Sequence, residues 1–553
     1  MKAAERRRAP LWFLYPIGLA TAVSVLYLFT LYPGTGGETD SAKWQFIGKV
    51  FGVPHTTGYP LYILVNHVFS LLPIGTLAWR INFMSAFFAV LAVVLLQRIL
   101  RGLLNSELLA LGGALVLAVT QMFWTFAVVA GVYSLNAFFI CLVMYLLFKW
   151  ADGRRARLSG ARGGRGYLYA ACFAYALSLG NHVTMITMLP ALVVFALAMD
   201  WRAVLSFETL FLCGLFALIA ASLYVLLFVE TALPSPYLEH RIRTFNDLWQ
   251  LLTAEGFRQR IFEGGIKVFA LHLRDLYVPD ASAQFMPLGL AFAAGGLFLF
   301  AQKHGRKLLF ILVFLCANLF MALNYSVNPQ QLGYQFIPSY VLLALFIGFL
   351  PAAPDVVAPR ADRAARWILS SALLLVLVGL AAVLAVNNIQ PLEEKRQKMA
   401  VIDKLVNDAI DALPANGVLL ANSYNDSMIL MYKMLGEERG SAKRWRVLHD
   451  ADWKITRVDP ERPAAVEEVC NRDVVERLMR GEDVDWSPLV THKGEPAKHE
   501  VYFWGIDQPL LDEAGFEYER VHLPGDGTGE DCYGGGPVGL FRITGPAAKP
   551  PGG

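Results

Sequence analysis

"LWFLYPIGLATAVSVLYLFTLYPGTGGETDSAKWQFIGKVFGVPHTTGYPLY", residues 11–62, joins two chemically different pieces of chain. Residues 11 to 32 are apolar and long enough to cross a bilayer, which takes about 20 residues at 1.5 Å each. The chain beyond them delivers Glu38, Asp40, Lys43, Lys49 and His55 just where that run ends. A membrane span that opens onto two carboxylates, two amines and an imidazole predicts a membrane protein whose working face lies at the outer end of its first helix.

The rest of the chain extends this reading. Of 553 residues, 56% are hydrophobic and 17% charged, too apolar for an ordinary soluble protein of that length. Apolar runs crowd residues 11 to 390, whereas 391 to 553 have the composition of a soluble domain. The expected organisation is a polytopic helix bundle over 1–390 and a soluble α/β domain over 391–553. A net charge of +3 gives no case for nucleic acid, and the basic residues sit in short clusters at the ends of apolar runs. "MKAAERRRAP" precedes the first run with no small-residue cleavage site after it, so an uncleaved first helix is expected.

Runs long enough to span lie near 11–32, 81–98, 108–127, 131–150, 167–182, 184–199, 205–228, 286–302, 308–324, 336–352 and 367–387, about eleven in all. The stretch 61–72, short and polar at Asn66 and His67, suits the membrane interface better. With Arg6, Arg7 and Arg8 in the cytoplasm, the alternate connections carry Arg98 and Arg101, then Arg154 to Arg165, Arg202, Lys303 to Lys307, and Arg360 to Arg366. That is the positive-inside pattern. An odd number of spans then places the 36–62 loop, the 230–284 loop and the tail together on the extracytoplasmic side. Cys141, Cys172, Cys213 and Cys316 fall in apolar runs as packing residues, while Cys470 and Cys532 are the two tail cysteines and are expected to bridge.

"GVPHTTGYPLY" sets Gly52, Pro54, Gly58 and Pro60 around His55, fixing turns that orient an imidazole beside the membrane. Together with Asp40-Ser41, seven matches over Gly52 to Leu61 and the later Trp79, Arg80 and Asn82, this block resembles bacterial relatives of the transmembrane protein O-mannosyltransferase family, within the GT-C glycosyltransferase superfamily. Looser likenesses come at "VVAGVYSLNAFF", "LGNHVTMITMLP", "NYSVNPQQLGYQFIPSY" and "LPANGVLLANSYNDSM". The chain also departs from the pattern: Lys43 and Gly131 stand where the family has Glu, and Thr56 and Thr57 where it has a Pro pair.

The resemblance implies an inverting transfer of a sugar, mannose being the family's, from a polyprenyl-phosphate carrier to an extracytoplasmic hydroxyl on a protein, glycan or lipid. A phosphate departs readily, so the chemical demand is for one base on the acceptor hydroxyl and for cations around the phosphate. Asp40 is the expected base, with Glu38 as its substitute. Lys43, His55, Tyr59, Arg80, His182 and Arg258 are expected to bind substrate, with Arg241 and Arg260 as further cations. Glu230 and Glu239 flank the large loop and offer a second carboxylate should a divalent metal be used; no ligand spacing requires one. The same spans and basic loops would serve a flippase for lipid-linked saccharide or a noncatalytic assembly protein. Against the former, no internal repeat with broken helices is visible.

Overall fold

The computed structural model describes residues 13–36, 40–153, 165–233, 235–253, 265–324, 333–414, 416–421, 423–439, 444–448, 454–459, 462–470, 501–505, 516–523 and 539–546. Each of the eleven apolar runs is helical. Eight helices have the length and hydropathy of a crossing, and Leu111–Val119 with Gln121–Val128, bent by 69° at Thr120, makes a ninth. The other two are shorter: α1 (Leu14–Thr30) and the helix Arg165–Leu179. The helices Leu77–Leu104 and Tyr133–Asp152, with Gly333–Val357, form the buried centre of the bundle, at 61%, 72% and 83% burial against 11% for Phe207–Ala232 on its rim.

Between α1 and the next span the structure departs from expectation. The supposed first loop is largely α2 (Ser41–Val50), continued by α3 (Pro60–Ser70). Residues Ser41 to Gly48 of α2 are all buried, so the helix has no polar stripe by which periodicity would reveal it. The two helices are tied side by side: Asn66 Nδ2 donates to the Trp44 carbonyl at 2.7 Å, and His67 Nδ1 lies 3.0 Å from the Gly48 carbonyl. Gln45 and Asn82 hold the chain leaving α1, Gln45 bonding the Gly34 and Gly36 carbonyls and Asn82 the Tyr32 carbonyl.

The connections gather at two ends of the bundle. On one end short connections cross-pair: Lys307 with Asp152 at 2.7 Å, Arg165 with Glu208 at 3.2 Å, Arg366 with Asp355 at 2.8 Å. On the other end meet α2, the 235–242 segment and the tail, all after odd-numbered spans. Thr35 N donates to Asp403 at 3.2 Å, and Lys49 pairs with Glu438 at 2.7 Å.

The boundary expected at 390 falls inside one helix, Arg363–Ala412, which carries the last apolar run straight into the tail. Beyond it, β1 (Asn416–Ala421) pairs in parallel with β2 (Arg444–Leu448) and β5 (Val501–Gly505). An antiparallel β7 (Gly539–Pro546) then joins β5 to β6 (Phe516–Val521), giving the order β2-β1-β5-β7-β6. A separate hairpin pairs β3 (Lys454–Asp459) with β4 (Arg462–Cys470). This is the α/β tail expected from the sequence, and Trp504 is buried in its core. Cys532, and with it the expected bridge to Cys470, lies outside the described residues.

Candidate active site

Asp40 immediately precedes α2, and Lys43 lies one turn on, so its ammonium reaches back to Asp40 Oδ1 at 3.2 Å. The chain then leaves α2 through Phe51 in the left-handed region and Gly52, whose missing side chain matters: a Cβ there would lie 2.6 Å from the Tyr237 carbonyl oxygen. That close approach lets Val53 N donate to the Tyr237 carbonyl at 3.2 Å and Glu239 N to the Val53 carbonyl at 2.8 Å. The 235–242 segment is thereby laid along the His55 loop, and Glu239 is delivered to Lys43 at 3.2 Å. Gly58 has a φ of +84°, and a Cβ there would strike Leu227 at 2.6 Å, so the loop closes back onto the bundle only with glycine at this position.

The tail supplies the fourth side. Ser423 caps the helix α4 (Tyr424–Met431), whose first residue points its hydroxyl at the cluster. Lys43 Nζ donates to Tyr424 Oη at 2.7 Å, and Tyr424 Oη donates to Glu239 Oε1 at 2.9 Å. The Tyr237 hydroxyl also donates to Glu239. Lys43 further contacts His55 Nδ1, which leaves the ring proton on Nε2, 3.3 Å from the Tyr59 hydroxyl; that hydroxyl in turn donates to the Thr56 carbonyl at 3.0 Å. The Lys43 side chain is fully buried by these partners.

The two carboxylates are not equivalent. Glu239 is 9% exposed and its Oε1 serves two tyrosines and Lys43. Burial would raise its pKa, but the Lys43 charge beside it and the two hydroxyls outweigh that and hold it at about 2. Asp40 is 28% exposed, with Oδ1 on Lys43 and Oδ2 only 4.0 Å from His55 Nε2. Burial and the nearby Lys43 charge lower the His55 pKa, against the opposing pull of Asp40 and Glu239, which favours the neutral ring. The arrangement offers one fixed anion, one more accessible carboxylate and a shared ammonium: a base with a scaffold behind it.

His182 caps the short helical turn after it, Nδ1 accepting from Thr184 N at 3.2 Å, and its ring lies 5.8 Å from Tyr59. It therefore borders the cluster through Tyr59. Arg80 does not join it: its guanidinium donates to the Ser70, Ile74 and Gly75 carbonyls at 2.6, 2.9 and 3.1 Å, locking the turn between α3 and the next span. A phosphate would have to take this group from three carbonyls. Arg80→Ala should accordingly lower thermal stability, by roughly 1 kcal/mol, while leaving donor affinity unchanged; a parallel melting and donor-titration experiment separates the two. Arg241 is exposed, two residues past Glu239. Glu38, Arg258 and Arg260 lie outside the described residues. Glu230 is buried, and among the described residues neither of its carboxylate oxygens has a hydrogen-bond partner.

Behind Thr57, two residues past His55, opens a cavity of about 800 Å³ walled almost wholly by apolar side chains. It runs down between the helices Arg165–Leu179, Leu189–Val204 and Phe207–Ser222, from Thr57 and Leu252 to Val204 and Leu205.

Residues 40–205 match the family model described as the Protein O-mannosyl-transferase TMEM260 N-terminal domain. That match holds Asp40, Lys43, His55, Tyr59 and His182, the near half of the site. The Protein O-mannosyl-transferase tmem260 of Dictyostelium discoideum is 24% identical over 303 residues, covering 50% of this chain and 35% of that protein. The mouse Protein O-mannosyl-transferase TMEM260 is 30% identical over 141 residues, 25% of this chain and 20% of its own. The chain thus aligns with about a third or less of the length of these curated relatives. Over nearly its whole length the fold is that of ArnT from Cupriavidus metallidurans: TM-score 0.60 for the apo structure, at 13% identity, covering 96% of this chain and 97% of the other. The ArnT structure bound to undecaprenyl phosphate gives 0.59, also at 13% identity, over 97% and 98%. A polytopic helix bundle with an appended tail, folded like ArnT, is therefore the architecture of the chain.

Proposed function

We propose that the chain is an inverting membrane glycosyltransferase that moves a sugar, mannose by its relatives, from a polyprenyl-phosphate carrier to an acceptor hydroxyl. The observation that carries this reading is the junction of two features at Thr57: a charged cluster at the membrane face and an apolar cavity running from it into the bundle. A polyprenyl-phosphate sugar has the matching division, a long apolar tail and an anionic head bearing the sugar. A saccharide flippase needs a path for the head across the membrane, whereas the cavity beside this cluster is apolar.

Asp40 takes the acceptor proton as the hydroxyl attacks, opposite the departing phosphate, which inverts the anomeric centre by analogy with inverting glycosidases. Lys43 orients Asp40 and offsets its charge, Glu239 anchors Lys43, and neutral His55 accepts from Lys43 while its Nε2–H meets the Tyr59 hydroxyl. Tyr59 and His182 border the same space. Glu38 and Arg258 belong to the proposal as the alternative base and a phosphate partner. The tail and the working face lie on the extracytoplasmic side of the bacterial cell membrane, with the amino terminus in the cytoplasm. A reporter active only in the cytoplasm, fused after Ile389, is expected to stay silent, and a strong signal would reverse this orientation.

The carrier-tail assignment has its own test. Ala176 is buried in the cavity wall, and Ala176→Trp would fill the space a tail needs. KM for a long polyprenyl donor should rise roughly tenfold, the equivalent of losing one or two buried CH₂ groups, with a short-chain donor affected far less. Equal effects on both donors would place the tail elsewhere.

A further inference from the structure

The segment that delivers Glu239 runs on into a short helix, Phe245–Leu252, which the sugar-transfer chemistry does not use. Its start is held by a reciprocal cap: Asp247 N donates to Thr244 Oγ1 at 3.2 Å, while Thr244 N and Arg243 N donate to Asp247 Oδ2 at 2.8 and 2.9 Å. At about 100° per residue its apolar side chains fall on one stripe about 160° wide, in the order Leu251, Leu248, Leu252, Phe245, Trp249. Asn246, Asp247 and Gln250 take the opposite side.

Protein covers only one edge of that stripe. Leu251 is 2% exposed and packs against Gly58, and Leu252 lines the apolar cavity together with Thr57. At the other edge Phe245 is 84% exposed and Trp249, one turn on, 65% exposed. The bare edge adjoins a surface that already faces lipid. The Phe245 ring lies 5.6 Å from that of Phe228, on the rim span Phe207–Ala232, whose Leu218, Val225 and Val229 are exposed. Phe228 is four residues short of the end of that span, about 6 Å of helix rise. In-plane helices bury their apolar faces about 5 to 10 Å into the boundary between headgroups and acyl chains, so the depth matches. Arg241 and Arg243, both exposed, stand just ahead of the helix, where guanidinium groups meet headgroup phosphates.

We propose that Phe245–Leu252 is an in-plane membrane anchor: the lipid surface on the side of the charged cluster is the partner of Phe245 and Trp249, and it holds Leu251 and Leu252 as a roof over the mouth of the cavity. Trp at headgroup level fits the aromatic belt of membrane proteins. The roof is then fixed from two sides, by Gly58 and the cavity wall within the protein and by lipid outside it.

Neither readout of the test depends on sugar transfer, so its outcome is separate from that of the proposed function. The photoreactive residue p-benzoylphenylalanine replaces Phe245, Asn246, Trp249 or Gln250, one at a time, in the full chain in nanodiscs of phosphatidylethanolamine and phosphatidylglycerol, and adducts are identified by mass spectrometry after irradiation. Lipid adducts should be at least about 10-fold more abundant at Phe245 and Trp249 than at Asn246 and Gln250. Equal lipid yields at all four positions, or crosslinks from Phe245 and Trp249 to a second copy of the chain in place of lipid, would overturn the proposal. In the same nanodiscs, the double variant Phe245→Ser/Trp249→Ser should exchange the amide hydrogens of 245–252 about 10-fold faster than wild type, with the rest of the bundle unchanged. Unaltered exchange in that segment would contradict the anchor as well.

Discussion

Asp40→Asn should reduce sugar transfer by about 10² or more, the usual scale for loss of a general base, while leaving the fold and donor affinity in place. The amide keeps the size of the carboxylate and still presents an oxygen to Lys43, 3.2 Å away in the wild type. What it lacks is the capacity to take the acceptor proton. Because the effect falls on kcat and not on donor binding, turnover and equilibrium binding of the polyprenyl-phosphate sugar should part company. If Asp40→Asn turns over at the wild-type rate and Glu38→Gln does not, the base is two residues earlier. If both are fully active, the cluster is structural.

Lys43→Met should be the most destabilising single change in the site. It leaves Glu239, 9% exposed, without its main compensating charge, and breaking a buried pair in this way costs about 3 to 5 kcal/mol. The pH dependence gives the clearer signature. In the wild type the folded-state pKa of Glu239, about 2, lies below the ordinary carboxyl value of about 4.3, so its contribution to stability is fully present above that value and is lost as pH falls toward 2. In Lys43→Met, burial becomes the dominant influence and raises the Glu239 pKa above its unfolded value. Stability should then increase as pH is lowered from 7 to 5, a window in which the wild-type contribution of Glu239 stays constant. Melting temperatures across pH 3 to 8 would show the difference, and parallel curves for the two proteins would contradict the pairing.

The bundle is legible in the sequence because the bilayer imposes one length on every crossing, and charge at alternate connections preserves the parity of the spans. That parity puts the first loop, the 230–284 loop and the tail on one side, where the structure joins Lys43, Glu239 and Tyr424. Helix α2 is hidden for the opposite reason: it is short and buried on every face, so neither length nor periodicity marks it. Within the site, Asp40, Lys43, His55 and Tyr59 share one motif and are legible together. Glu239 is visible only as one of several acids in a long loop, and nothing in its neighbourhood distinguishes it from Glu230. Tyr237 and Tyr424 carry no local signal at all, since their role comes from a backbone bridge at Val53 and from the docking of the tail. Arg80 shows the reverse situation. It sits in a recognisable motif, but its fork is matched by three carbonyls of the adjacent turn.

The division of labour between the two carboxylates rests on exposure. Glu239 is saturated and fixed, whereas Asp40 is more exposed and its Oδ2 lies 4.0 Å from His55 Nε2. In the proposed transfer the same division would let a single acid suffice, since a phosphate leaves without needing a proton and the second carboxylate is free to act as an anchor.

The most direct test of sugar transfer at this cluster is a single-turnover assay with purified protein in lipid nanodiscs, offered a radiolabelled polyprenyl-phosphate sugar with candidate protein, glycan and lipid acceptors. The predicted result is label on an acceptor hydroxyl with inverted anomeric configuration, formed by wild type and reduced about 10² or more in Asp40→Asn. Donor that binds but is never transferred to any acceptor, or a product that retains its configuration, would contradict it.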